Sequence, residues 1–154
     1  MDKESIYEEA LTKISALLED EDDEIAGMSS ICAVLKQSVH WATWVGFYRV
    51  VGPRMLAVGP YQGGIGCLRI PFDRGVCGAA ATTAETQLVA DVHAFPGHIT
   101  CDSLARSEIV VPVLGAGGGV RAVLDLDSRE PSAFDETDRF YLEKLAAAFR
   151  SSFE

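Results

Sequence analysis

Between Ile6 and Leu18 the apolar residues Ile6, Ala10, Ile14, Leu17 and Leu18 recur at the spacing of one helical face, and the acidic run from Glu19 to Glu24 ends the pattern. A second stripe of Ile25, Met28, Cys32, Leu35 and Val39 predicts another helix, with Cys32 on its buried side. The acids between the stripes read as a solvated connection that also suits the second helix's N-terminus. From Trp41 the texture changes. Short segments rich in Val, Ile, Tyr, Phe and Trp, punctuated by Gly and Pro, predict strands near 42–51, 55–61, 67–72, 86–91, 108–114 and 120–127. Gly52-Pro53 and the run from Gly115 to Gly119 read as hairpin turns, which makes the sheet largely antiparallel. Gly75 to Thr83 is Ala-rich enough for a short helix, 92–107 is a long loop of the kind that tends to be functional, and a closing helix starts near Asp135, a suitable N-cap, with Tyr141, Leu145, Ala148 and Phe149 inward. The expected fold class is α+β, a sheet of about six strands flanked by N- and C-terminal helices.

Composition narrows the function. A chain of 154 residues with 48% hydrophobic side chains suits one domain spanning 1–154 and needs neither a structural metal nor disulfides to stand alone. Of the formal charge of −10, most belongs to the first 24 residues, where ten acids face only Lys3 and Lys13, so the remaining 130 residues carry −2. That distribution argues against nucleic-acid binding, which needs a basic stripe, and against a polybasic membrane contact. The N-terminus MDKESIYEEA lacks a basic segment followed by an apolar one, and no apolar run approaches membrane-spanning length, so the expected location is cytoplasmic. Four cysteines in a reducing compartment each need an explanation as core, ligand or reactive thiol.

Three of them, Cys67, Cys77 and Cys101, lie outside the helical stripe and within glycine-rich turns or the long loop, where a thiol can have a lowered pKa. Each also reads as a small buried hydrophobe. His93, His98 and Cys101 could in principle hold zinc, but the closely spaced cysteine pair typical of such sites is missing, so no metal is expected. In the last predicted strand the alternation sets Val120, Ala122, Leu124 and Leu126 on one face and Arg121, Val123, Asp125 and Asp127 on the other. Two like charges on one face repel, and that cost suggests a bound cation or raised pKa values. Glu108 opens the neighbouring strand and joins those acids only if the paired residue numbers sum to an odd value. Trp44, Gly46 and Tyr48 alternate onto one face of the first strand, as an aromatic core or as a pocket wall.

Taken together, WVGFY at 44–48, GPYQG at 59–63, CLRIPF at 67–72, RGVCGAAA at 74–81, DVHAFPGHITCD at 91–102, SEIVVPV at 107–113 and LDLDS at 124–128 resemble the free methionine-(R)-sulfoxide reductases, which are single GAF domains. Asp73 departs from the pattern where a glycine is expected. The resemblance implies a GAF-like fold, no cofactor, Cys101 as nucleophile, Cys67 as resolving thiol and Cys77 as a third partner in recycling. It further implies Glu108 and Asp127 as the groups that polarise the sulfoxide, Asp125 as a partner for the substrate ammonium, and Trp44 and Tyr48 against its S-methyl end. Thioredoxin is the implied reductant, and a homodimer is compatible with the family. The alternative is a non-catalytic GAF sensor of small molecules, which would be expected to carry output domains and could dispense with the three thiols.

Overall fold

The computed structural model describes residues 1–98 and 101–152. Its elements run α1 (Lys3–Leu18), α2 (Glu24–Ser38), β1 (Trp44–Gly52), β2 (Met55–Gln62), β3 (Arg69–Pro71), α3 (Gly75–Thr83), β4 (Gln87–Val89), a single 3-10 turn (Val92–Ala94), β5 (Ser107–Leu114), β6 (Val120–Ser128) and α4 (Glu136–Ser152). The strands form one antiparallel sheet in the order β3-β2-β1-β6-β5-β4. The expected α+β class and all six strands are therefore present, with shorter third and fourth strands than the sequence suggests. Among the described residues no helix is long and apolar enough to cross a membrane.

Helix starts follow from the acids that precede them. Asp2 and Asp23 accept from the backbone N–H groups of Ser5 and Ala26, satisfying donors that a helix's first turn leaves open. The acidic connection thus supplies the α2 cap. At α4 the cap is reciprocal: Asp135 accepts from the N–H of Thr137, and Asp138 reaches back to accept from the N–H of Asp135 at 2.8 Å. Asp138 is fully buried and also accepts from Tyr7 Oη, Trp41 Nε1 and Lys3 Nζ, so one carboxylate ties α1 and the α2–β1 connection to the start of α4.

The helices α1, α2 and α4 cover one face of the sheet, burying Tyr7, Ile14, Met28, Ile31, Leu142 and Phe149 against Val45, Phe47, Ile109, Leu124 and Leu126. On α1 the buried stripe is Tyr7, Ala10 and Ile14, while Leu17 is exposed; Ile25 on α2 and Ala148 on α4 are also exposed, contrary to the expected stripes. The sheet selects a narrower face than apolarity alone indicates, and Tyr7 enters it because Asp138 satisfies its hydroxyl. On the opposite face α3 packs over β3, β5 and β6, with Val76, Ala80 and Ala81 against Ile70, Val110 and Val123.

The β5–β6 pairing contains one irregularity. Val113 faces Ala122, but Leu114 faces Val120, leaving Arg121 as an extra residue. The alternation expected for Val120 and Arg121 is thereby reversed: Val120 packs on the α3 side, and Arg121 reaches Glu24 of α2 at 2.7 Å. Beyond this bulge the expected alternation from Ala122 to Asp127 holds.

Candidate active site

Register decides the composition of the α3-side face. Glu108 pairs with Asp127, an odd sum, and Asp127 pairs with Trp44, so the three side chains form one row across β5, β6 and β1. The next row is Val110, Asp125 and Gly46, followed by Val123 beside Tyr48. Three acids and two aromatics of the sequence reading therefore converge on one patch of sheet. Gly46 lets the Trp44 indole lie across the middle of that patch. A Cβ there would collide with the indole of Trp44 and with Tyr61.

Loops build the walls. Residues 63–66 lie against Trp44, whose Nε1 donates to Gly64 O at 2.9 Å; a Cβ at Gly66 would sit 2.8 Å from the indole and 3.2 Å from Tyr48 Oη. Holding this segment over the ring is what removes Cys67 from the expected strand start and delays β3 to Arg69. The 92–107 loop forms the other wall, and two of its residues, Ile99 and Thr100, lie outside the described residues. It is tied to α3 by the Gly75 N–H donating to Gly97 O at 2.8 Å, and to the end of β6 by Asp102 against Arg129 at 3.5 Å.

The two loops are joined by a disulfide between Cys67 and Cys101, whose Cα atoms stand 5.6 Å apart. Cys101 is exposed and Cys67 half-buried, so the bridge sits at the rim. Beneath it lies a cavity of about 50 Å³ bounded by Trp44, Tyr48, Arg74, Cys77, Cys101 and the three acids. Cys77, in the first turn of α3, is buried at the bottom, while Cys32 is buried in α2 with its thiol on Pro60 O, outside the site.

Burial dominates the electrostatics. It raises the Glu108, Asp125 and Asp127 carboxyls well above the ordinary range, and each is pushed further by a neighbouring acid: Glu108 by Asp125, Asp125 by Asp127, Asp127 by Glu108. Burial likewise raises the Cys77 thiol, followed by the charges of Asp125 and Glu108, and Cys32 is pushed up to about 12. Burial, then Asp125, raises the Tyr48 hydroxyl. His98 is lowered by burial and by His93, whose ring centroid is 6.2 Å away. The arrangement combines acids that burial biases toward the protonated form, in which they can donate to a developing oxygen charge, with a thiol pair able to cycle between dithiol and disulfide.

The sequence reading omitted Arg74, Gly66, Ile70 and Ala105, which also line the cavity. The glycines spaced at 63, 64 and 66 beside an aromatic strand were the available signal for close backbone approach.

The GAF domain family model matches residues 16–152. Two curated proteins named free methionine-R-sulfoxide reductase are similar to this chain: that of Saccharomyces cerevisiae, 37% identical over 99% of this chain and 88% of its own length, and that of Escherichia coli, 37% identical over 96% and 88%. The X-ray structure of free methionine-R-sulfoxide reductase from Neisseria meningitidis in complex with its substrate superposes with a TM-score of 0.95 at 46% identity, covering 99% of this chain and 91% of that one. Fold and site together define a GAF-domain oxidoreductase. The chain belongs to the free methionine-R-sulfoxide reductase family.

Proposed function

We propose that this protein reduces free L-methionine-(R)-sulfoxide to methionine through a Cys101 sulfenic acid and a Cys67–Cys101 disulfide, which a cytoplasmic dithiol of the thioredoxin type then reduces. The reading is carried by one observation: the disulfide closes over a cavity floored by Glu108, Asp125 and Asp127. A sulfoxide is a poor electrophile until its oxygen is protonated or strongly hydrogen-bonded, and Glu108 and Asp127, whose carboxyls burial raises well above the ordinary range, are suited to that task. The Cys101 thiolate attacks the substrate sulfur, protons pass to the oxygen, and the oxygen leaves with Cys101 as a sulfenic acid while methionine is released. Cys67 then attacks that sulfenic sulfur and expels water, and two electrons from the external dithiol restore both thiols.

Asp125 is the proposed partner of the substrate ammonium, whose arrival would ionise a carboxyl that burial otherwise keeps neutral. The substrate carboxylate is directed toward Arg74 and the first turn of α3, which has no side-chain cap. Trp44 and Tyr48, stacked with centroids 5.8 Å apart, pack on the S-methyl end. A peptide-bound methionine would leave Asp125 facing an uncharged amide, which accounts for selection of the free amino acid. Cys77, with its raised thiol pKa, is assigned to the support of Asp125 in preference to nucleophilic recycling.

The test is direct. Reduced protein is mixed with racemic free methionine sulfoxide and dithiothreitol, and conversion is expected to stop near half. Absence of methionine with the thiols confirmed reduced would overturn the reading and leave a ligand-binding GAF module.

A further inference from the structure

We propose that Cys77, Glu108 and Asp125 form a binding site for a zinc-class divalent cation at the base of the cavity, one that exists whether Cys67 and Cys101 are bridged or free. The three residues come from different, mutually packed elements, α3, β5 and β6, and all are buried. One ligand atom from each, Sγ and two carboxylate oxygens, can be chosen so that all lie within 4.8 Å of one another. A tetrahedral zinc site sets such atoms about 3.5 Å apart, so side-chain adjustment alone closes the set around an ion. An independent observation points the same way. Asp125 is only 4% exposed, yet its Oδ1 has no hydrogen-bond partner among the described residues, which leaves a buried acceptor open to a ligand beside Cys77 and Glu108.

The donor set fixes the class of cation. A thiolate with two carboxylates suits zinc or its softer analogues, whereas magnesium and calcium take oxygen ligands. Three sides of the ion would be protein and the fourth would face the cavity, whose lining includes Asp127. Arg74 and His98 are the basic side chains lining that cavity, and an entering dication would displace the protons that burial favours on its three ligands. Because Asp125 and Glu108 are also the proposed substrate contacts, the ion and the substrate exclude each other. That exclusion, though not the site itself, rests on the reductase reading.

The oxidised protein gives the cleanest test, since Cys67 and Cys101 are then tied up and the free thiols are Cys77 and Cys32. Titration with zinc is expected to saturate at one ion per chain, and cobalt in its place is expected to give a thiolate-to-cobalt charge-transfer band. Cys77→Ser and Asp125→Asn should each weaken zinc at least about 10-fold, the lower bound seen even for outer-shell partners of metal sites. Cys32→Ala and a His93→Ala/His98→Ala double variant should bind as wild type does. Glu108→Gln serves as a third ligand variant, and circular dichroism verifies that each variant is folded. Failure to take up stoichiometric zinc, a cobalt spectrum without the thiolate band, or affinity lost with the histidines and kept without Cys77 would each overturn the site. In the reduced enzyme zinc should raise the apparent KM for free methionine sulfoxide and leave kcat unchanged. Zinc bound as described by a protein with no turnover would leave the site standing and sink the reductase reading instead.

Discussion

Glu108 and Asp127 face each other across β5 and β6, on the side of the sheet away from α1, α2 and α4. Both carboxyls are raised by burial, Glu108 further by Asp125 and Asp127 further by Glu108. Glu108→Gln keeps the shape and removes the proton. Turnover of free methionine sulfoxide should fall about 10²–10⁴-fold in kcat with a much smaller change in KM, as for loss of a general acid. Steady-state kinetics checks this, and an unchanged kcat would remove Glu108 from oxygen activation.

The same acids set how stability responds to pH. Their folded pKa values lie above the unfolded ones, so the native protein binds these protons more tightly than the unfolded chain does. Their stabilising contribution is complete below about pH 4 and is lost as pH rises through the raised values. Denaturant midpoints measured upward from that pH should show a decline assignable to this cluster, and Asp125→Asn should make the decline shallower. A steeper decline in that variant would refute the assignment.

The thiols are separable by stoichiometry. Cys101→Ser should show no turnover, because the attacking sulfur is gone. Cys67→Ser should still release about one methionine per site in a single turnover and then stop, since the first step needs one thiolate only. Rapid-quench analysis distinguishes the two; a Cys67→Ser protein that releases nothing would move the nucleophile to Cys67.

Asp138 provides a stability prediction remote from the chemistry. Removing its carboxylate in Asp138→Ala strips partners from Tyr7 Oη, Trp41 Nε1 and Lys3 Nζ together. Loss of such a buried charged hub should cost about 3–5 kcal/mol, and Tm should fall by about 6–20 °C. Activity per folded molecule is expected to persist. Calorimetry beside an activity assay below the transition checks both parts.

Most of the architecture was legible because its signals are local. The stripe Met28, Cys32, Leu35, the hairpin turns and the Asp135 cap each depend on residues a few positions apart. The candidate site was legible only in part. Periodicity sets Asp125 beside Asp127, but whether Glu108 joins them depends on pairing across two strands, and a one-residue slip would send it into the helical layer. The bulge at Arg121 was invisible for the same reason. Cys67 was misplaced in a strand because its true position depends on a backbone segment resting on the Trp44 indole, a tertiary contact that β propensity does not encode. Asp138 is a similar case: the DETD run contains the reciprocal cap, but nothing in it foretells Tyr7, more than a hundred residues earlier.

The bridge from Cys67 to Cys101 spans 34 positions and encloses α3 and β4 entirely. Closing a covalent ring of that length restricts the unfolded chain and stabilises the folded one by about 2–4 kcal/mol. Each catalytic cycle would therefore fasten and unfasten a quarter-length clasp around the helix that carries Cys77. On the proposed cycle the bridged form awaiting its reductant would be the tauter one and the dithiol form ready for substrate the looser, so the supply of electrons would also govern how firmly the molecule holds together.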